Sequence, residues 1–530
     1  MRFCVKKGVF FVMFCTIKTG ALNGLESYVV EVEVCMVNGF PCFEMVGSLS
    51  GEVREAKERI KASLFNSGID IPSKRITVNL APADIHKEGN GYDLPIAIGV
   101  LTVLGQIGIT KVEDTIFIGE LGLNGEIKPI RGILPMILEL RNQGYKKFVI
   151  PSANTEEIRI ISDCVILGFK NLSEIIFYYE DEDFLTGNES VFVSAISMEE
   201  SEAMLRGYSE SKGEDYNEIM GQDSVKEALE IAAAGFHNIL MVGPPGSGKS
   251  MMAKRLPTIL PPISMEECLE VSKIYSVSGQ LNESNPLITK RPFISPHHTI
   301  SQQALAGGGR IPKPGIVSLA HKGVLFLDEF PEFRRNVLEI LRQPMEDKEI
   351  YIARTYGSYT FPAQFMLVAA MNPCPCGYYP NMNKCTCKDG DIKKYVNRIS
   401  GPLLDRIDIC VNCNAIKLGD LSKSNTKTSS KDMRERVMIA RNIQEERYSK
   451  EDIIFNAQLG VSQLRKYCYL KKDENEFIEE FFEKMQLSAR SYHRIIKVAR
   501  TVADLDESDD ILVKHLSQAI CYRMDEKYKR

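Results

Sequence analysis

No stretch of this sequence approaches the ~20 consecutive apolar residues that a membrane-crossing helix needs, so no membrane partner is expected. A surplus of positive charge is also missing. Lys and Arg number 65 against 70 Asp and Glu, for a net charge of −5 and an isoelectric point near 6.0. That balance excludes a globally basic nucleic-acid binder. Any DNA contact must come from local patches or from a channel created by assembly. A compact cysteine framework is absent as well, because the 14 cysteines are scattered along 530 residues. This excludes a small disulfide-stapled secreted domain and points to a reducing, cytoplasmic setting.

What is present is ordinary globular material: 44% hydrophobic and 25% charged residues, with length for about three domains. At the start, Lys6 and Lys7 precede a short apolar run from Gly8 to Cys15. No convincing small-residue cleavage site follows, so a signal peptide is not indicated. Translation from Met13 accounts for this piece, and residues 1–20 are expected to be a poorly packed, non-native or disordered extension.

The chain is organised around Asn238 to Ser250. The apolar run Ile239–Val242 suits a buried parallel strand. Gly243-Pro244-Pro245-Gly246-Ser247-Gly248-Lys249-Ser250 then has the form G-x-x-x-x-G-K-S, and a helical pattern runs on from Met251. Strand, loop and helix in that order make a P-loop and argue against an ordinary Gly/Pro turn. The glycines let backbone N–H groups point inward around a phosphate. Lys249 can reach the β- and γ-phosphates of ATP, and the Ser250 hydroxyl can ligate Mg²⁺. Downstream, Gly323 to Leu327 is a second apolar run that ends in Asp328 and Glu329. Asp328 suits the Mg²⁺ hydration shell and Glu329 the general base that polarises the attacking water.

Before the P-loop, the chain mixes strands and helices. Tyr28 to Val37 alternates as a strand. Val53, Ala56, Ile60 and Leu64 share one helical face, and Arg75 to Leu80 is a further strand. Tyr92 to Leu104 is apolar throughout, as in a buried helix. Phe117 to Ile127 is a hairpin turning at Asn124-Gly125, Met136 to Gln143 is a helix stopped by Gly144, and Lys147 to Pro151 is a strand. With Asn79 to Asp84 and Lys87 to Pro95, this region resembles the Lon-protease domain of the ribosomal S5 superfold. Lon proteases hydrolyse peptides with a Ser-Lys dyad. Here Gly91-Tyr92 occupies the place expected for the serine and Leu134 that of the lysine. The dyad is missing, so no protease activity is expected. From Tyr179 to Tyr216 acidic residues dominate and periodicity fades, as in a mobile acidic linker.

Beyond the acidic strand end, Val337 to Glu346 is helical in pattern. Glu349 to Arg354 and Tyr359 to Pro362 are two strand-like runs about Gly357, and Gln364 to Asn372 is an apolar strand ending in a polar residue. Asn372 thus stands at the sensor-1 position of AAA+ ATPases, where it reads the γ-phosphate or orients the water. Ile399 to Asp408 contains Leu403-Leu404-Asp405-Arg406, which resembles the arginine-finger segment of MCM-type and magnesium-chelatase-type ATPases. Arg406 would reach the neighbouring subunit's γ-phosphate, and Arg398 competes for this role. In the helical segment from Met433, Arg490 fits sensor 2, reaching the phosphates from the lid of its own subunit.

Together with Pro296 to Ser301 and Gly307 to Gly309, these stretches resemble the YifB/ComM family of Mg-chelatase-like AAA+ ATPases over nearly the whole chain. The resemblance implies a bacterial cytoplasmic protein that assembles as a homo-oligomer, a hexamer around DNA. In this family ComM is associated with branch migration during natural transformation. The hairpin Glu349 to Pro362 would line the channel, with Lys348 and Arg354 at phosphates. His297, His298 and the Gly307 to Arg310 loop would face the channel or the subunit interface, the two histidines in a structural role. An ATP-switched assembly or chaperone-like scaffold without a nucleic-acid substrate is the alternative, and the acidic charge balance favours it.

Cys374, Cys376, Cys385 and Cys387 form C-x-C…C-x-C, a set that can close a tetrahedral Zn²⁺ site or stand unliganded. Zinc there would stiffen the loop and help set Arg406. The expected fold is α/β. Residues 21–178 are an inactive Lon/S5-like α+β domain, and 179–216 the acidic linker. An AAA+ P-loop core, a parallel sheet with helices on both faces, spans 217–415, followed by a linker over 416–432 and an α-helical lid over 433–530.

Overall fold

A computed structural model describes the chain except residues 1–2, 7–8, 13, 181–192, 194–214, 283, 311, 355–356, 416–427, 486 and 524–530. Most of the acidic linker and most of the linker before the lid lie outside the described residues, while Tyr179 and Glu180 close helix Leu172–Glu180.

The first domain is built on a seven-stranded mixed sheet. Its order is Val165–Phe169, Lys147–Pro151, Thr115–Phe117, Phe14–Asn23, Glu26–Val37, Arg75–Ala81 and Cys42–Val46. Phe14–Asn23 is the central strand, so the packed domain starts there and not at Ala21, which corrects the expected extension over 1–20. The reason is pattern: Cys15, Ile17, Thr19 and Ala21 alternate inward and are buried. Ahead of it, Phe3–Lys6 and Val9–Val12 pair as a separate two-stranded antiparallel ribbon.

Helix Gly51–Asn66 buries Val53, Ala56, Ile60 and Leu64, the face read from the sequence. Every residue of helix Asp93–Val103 is buried. Its Leu94, Ile96, Ile98, Val100, Leu101 and Val103 side chains each contribute about 1.5–3 kcal/mol of burial. Gly99 lets this helix lie directly on the sheet, because a Cβ there would come within 2.5 Å of Val34 Cγ2. The one carboxylate in the helix, Asp93, is matched by Arg59, whose Nε and Nη2 donate to it at 2.7 and 3.0 Å.

The second unit has a five-stranded, wholly parallel sheet ordered Phe293–Ile294, Val324–Leu327, Met366–Met371, Ile239–Val242 and Ile409–Asn412. The middle three strands are buried along their length, as the apolar runs require. The expected single helix Val337 to Glu346 is two, Arg335–Ile340 and Arg342–Asp347, divided at Leu341. Pro344 accounts for the break: it has no N–H to give to an intact helix, and its ring crowds the carbonyl four residues back. Hairpin Glu349–Arg354 and Gly357–Pro362 follows before the sensor strand, its second strand starting two residues ahead of the expected Tyr359.

The C-terminal helices begin at Ser430, three residues before the expected boundary, where Ser429 and Asp432 form a reciprocal cap. They share one core with helix Asp223–Gly235.

A further core cluster joins the first domain to the ATPase unit: Ile133, Ile137 and Leu140 pack with Ile263, Cys268, Val271 and Leu287. Beside it, Glu157 accepts from Asn154 Nδ2 at 2.7 Å and from Ser276 Oγ at 3.0 Å. Burial pushes the Glu157 carboxyl up from 4.5 to about 7, against the pull of those two donors. Between these values the folded chain keeps a proton that the unfolded chain has released, so stability falls as pH rises through the window. Glu157→Gln is expected to flatten the pH dependence of the melting temperature there. Calorimetry from pH 5 to pH 8 checks it; an unchanged slope would remove Glu157 as its source.

Candidate functional site

The P-loop strand lies between the sensor strand and the last strand of the parallel sheet, and its loop opens at the carboxyl end of the sheet. This is where parallel α/β sheets place their ligands. Gly246 and Gly248 have φ of +75° and +87°, the left-handed region, and a Cβ at either would point into open space. Helix Lys249–Arg255 starts directly behind them.

The sequence-predicted residues converge here. Lys249 Nζ donates to the carbonyls of Gly243 and Pro244 at 2.7 and 2.9 Å, and lies 3.3 Å from Asn372 Oδ1. Its burial lowers the ammonium pKa, which a phosphate would reverse. Ser250 Oγ donates to Asp328 Oδ2 at 2.5 Å. That hydroxyl–carboxylate pair, 78 residues apart in sequence, is a hard-oxygen donor set that fits Mg²⁺. Glu329 leaves the strand in the left-handed region at φ +51°, its N–H donating to Asp328 Oδ1 at 2.9 Å. The turn throws its side chain outward, 60% exposed.

Sequence reasoning missed what meets it. His298 Nδ1 lies 3.2 Å from Glu329 Oε2. His298 follows strand Phe293–Ile294, the neighbour of the strand that ends in Asp328 and Glu329, so sheet order brings them together. The imidazole lies against His297, tilted by 33° at 4.1 Å between ring centres, and makes an edge contact with Phe333. The candidate base is thus the partner of His298 within one chain. His298→Ala is expected to cut kcat about tenfold or more while leaving KM nearly unchanged, because it frees the base without touching the nucleotide cradle. Steady-state phosphate release measures this; an unaltered kcat would make the contact structural only.

Each of the three candidate arginines has a carboxylate partner within the chain. Arg406 is 8% exposed, donates to the Pro402 carbonyl at 2.6 Å and is paired with Glu346. Arg490, 56% exposed, donates to the same Glu346 oxygen at 3.3 Å. One turn later on the lid helix, Arg494 meets Asp408 at 3.5 Å. Arg490, expected to serve its own subunit from the lid, and Arg406, expected to serve the neighbour from the Leu403–Asp408 segment to which the lid is tied, thus sit side by side. Glu346 is the partner that sequence reasoning overlooked, and nothing in its surroundings in the sequence marks it. Arg398 is 51% exposed and pairs with Glu332 at 2.7 Å.

The hairpin carries exposed Tyr351 and Arg354, with Lys348 exposed at its base. Arg354 Nε donates to the Gly309 carbonyl at 3.2 Å, which joins the glycine loop to the hairpin.

A cavity of about 1350 Å³ lies between the first domain and the ATPase unit, bordered by Asn90, Gly91, Tyr92 and Arg131. Tyr92 opens the buried helix, and Leu134 is fully buried. The same wall holds Ser48, whose hydroxyl is 3.1 Å from His86 Nδ1, with His86 Nε2 3.5 Å from Glu88.

Comparison with known proteins follows the same division. Three family models match: "Magnesium chelatase, subunit ChlI" over residues 215–421, "Subunit ChlI of Mg-chelatase" over 32–154, and "Magnesium chelatase, subunit ChlI C-terminal" over 427–523. The chain is 41% identical to competence protein ComM of Haemophilus influenzae over 505 residues, 95% of this chain and 96% of the relative. It is 39% identical to the uncharacterized protein YifB of Escherichia coli over 509 residues, 96% of each. Similarity to the magnesium-chelatase 38 kDa subunit of Cereibacter sphaeroides is lower, 25% over 175 residues, which are 30% of this chain and 52% of that one. Full-length identity at this level, joined to a P-loop, an Asp-Glu strand end and a sensor strand on one parallel sheet, shows that the chain belongs to the YifB/ComM family of Mg-chelatase-like AAA+ proteins.

Proposed function

We propose that this chain hydrolyses ATP between neighbouring copies of itself in a hexameric ring, and that the cycle moves or remodels DNA. The observation that carries the ATPase half is the meeting of Lys249 with Asn372 and of Ser250 with Asp328 at one loop. MgATP is the substrate. Ser250 and Asp328 would hold its metal, which neutralises charge on the β- and γ-phosphates. The backbone N–H groups from Gly243 to Gly248 cradle the phosphates, and Lys249 adds a cation. Glu329 orients the attacking water and takes its proton, with His298 fixing the carboxylate. Asn372 reads the γ-phosphate. Arg406 and Arg490 approach from the neighbouring copy, where a phosphate replaces Glu346 between them.

The DNA half is supported by the exposed cations and the Tyr351 ring on the hairpin, and by the relative ComM being a competence protein. Branch migration or remodelling of recombination intermediates, in a cytoplasmic setting, is the activity this reading favours. The acidic net charge favours an ATP-switched scaffold instead. ATPase rates with no DNA, single strands, duplex and four-way junctions separate the two. Stimulation that fades as salt rises supports the motor; rates indifferent to every DNA support the scaffold.

Peptide hydrolysis is not expected. Casein should survive incubation with and without ATP. ATP-stimulated turnover that disappears in Ser48→Ala would instead assign a nucleophile outside the Lon pattern.

A further inference from the structure

Between Asn372 and Lys388 the chain leaves the sensor strand, loops outward and returns. Four cysteine sulfurs meet inside that loop. The Sγ atoms of Cys374, Cys376, Cys385 and Cys387 all lie within 4.8 Å of one another. Cys374 is 3.4 Å from Cys376 and 3.8 Å from Cys385, and Cys376 is 3.6 Å from Cys385. A zinc ion with four thiolates at ~2.3 Å makes a tetrahedron whose sulfur–sulfur edges are about 3.8 Å. A disulfide would need about 2.05 Å, and all four cysteines are free. Cys374 is fully buried, and the Tyr379 N–H points at its sulfur from 3.4 Å. Amide-to-sulfur bonds of this kind support metal-bound thiolates from the outer shell. Four ionised thiols this close repel strongly unless a cation sits among them.

The position of the loop matters as much as its donors. Gly377 has φ +84°, and a Cβ there would come within 2.5 Å of Pro245 Cδ, 2.8 Å of Pro245 Cγ and 3.8 Å of Asn372 Cγ. The loop therefore lies flat on the P-loop and beside the sensor residue. Arg406 itself is held by Glu346 and the Pro402 carbonyl.

We propose that Cys374, Cys376, Cys385 and Cys387 bind one zinc ion, and that the zinc-closed loop clamps the P-loop at Pro245, so that tight nucleotide binding depends on the metal. The clamp rests on the nucleotide site proposed above; the metal site does not. Zinc closes a loop of 14 residues into a rigid knuckle, which presents Gly377 to Pro245 without the entropy a free loop would lose.

The test uses the full-length chain purified without chelators under reducing conditions. Elemental analysis should find about one zinc per chain, reduced at least severalfold in Cys376→Ser and Cys385→Ser. Because a serine variant can also unfold, wild-type protein is stripped with a zinc-selective chelator and its fold checked by circular dichroism. Affinity for a fluorescent ATP analogue should fall about tenfold on stripping and recover when zinc is restored. Gly377→Ala should keep its zinc and still bind nucleotide more weakly, because the added methyl displaces Pro245. Lys249→Ala should lose nucleotide and keep zinc, which separates failure of the metal site from failure of the nucleotide site. Negligible zinc in wild-type protein supplied with the metal overturns the metal site. Unchanged nucleotide affinity after stripping and in Gly377→Ala overturns the clamp.

Discussion

Glu329→Gln is expected to stop ATP turnover while ATP stays bound, and Lys249→Ala to stop both binding and turnover. The two changes act on different terms. Glutamine has the size of glutamate and keeps a hydrogen-bonding tip beside His298, so the cradle around the phosphates is untouched. It cannot accept a proton from water. Loss of a general base of this kind lowers rates by about 10²–10⁴. The nucleotide then remains trapped, and assemblies that depend on it should persist. Lys249 is the buried cation of the site, 3.3 Å from Asn372 and bonded to two loop carbonyls. Alanine removes the charge that the β- and γ-phosphates need and leaves those carbonyls unpartnered. Single-turnover phosphate release, nucleotide retention and light scattering report the three outcomes. If Glu329→Gln hydrolysed ATP at more than a tenth of the wild-type rate, another residue would have to be the base.

Arg406→Ala is expected to lower kcat by about 10³ or more with little effect on nucleotide affinity, as arginine fingers do. The loss should be rescued in mixtures. A subunit carrying Arg406→Ala still has a working P-loop, and one carrying Lys249→Ala still has a working arginine. Mixed, they form junctions in which both halves are intact, and activity returns. Arg490→Ala should behave the same way, and the double variant should be little worse than either single, because both guanidiniums share the Glu346 carboxylate and would act on one phosphate. Arg398→Ala is the control. It pairs with Glu332 near the surface, so a modest effect is expected. A full loss in Arg398→Ala that mixing rescues, with Arg406→Ala active, would exchange the two roles.

Much of this was legible in one dimension. Ile239–Val242, Val324–Leu327 and Met366–Met371 are short apolar runs with polar residues placed at their ends, and a strand buried on both faces leaves no other pattern. The face Val53, Ala56, Ile60 and Leu64 follows from helical spacing alone. Boundaries were less secure. The strand at Phe14 was hidden because the alternation of Cys15, Ile17, Thr19 and Ala21 is carried partly by small and polar residues that only the sheet buries. The split at Leu341 hinged on Pro344, whose effect reaches back into the preceding turn.

The amino-acid order alone determined the candidate nucleotide site, since G-x-x-x-x-G-K-S between a strand and a helix and an Asp-Glu strand end are local patterns, each set by residues adjacent along the chain. Which groups face those residues was decided by the fold. His298 reaches Glu329 because their strands are neighbours in the sheet, Arg490 joins Arg406 because the lid docks beside Glu346, and the cysteine loop reaches Pro245 because the sensor strand pairs with the P-loop strand. Such contacts depend on how separate segments pack against one another, and spacing along a single chain carries no record of that.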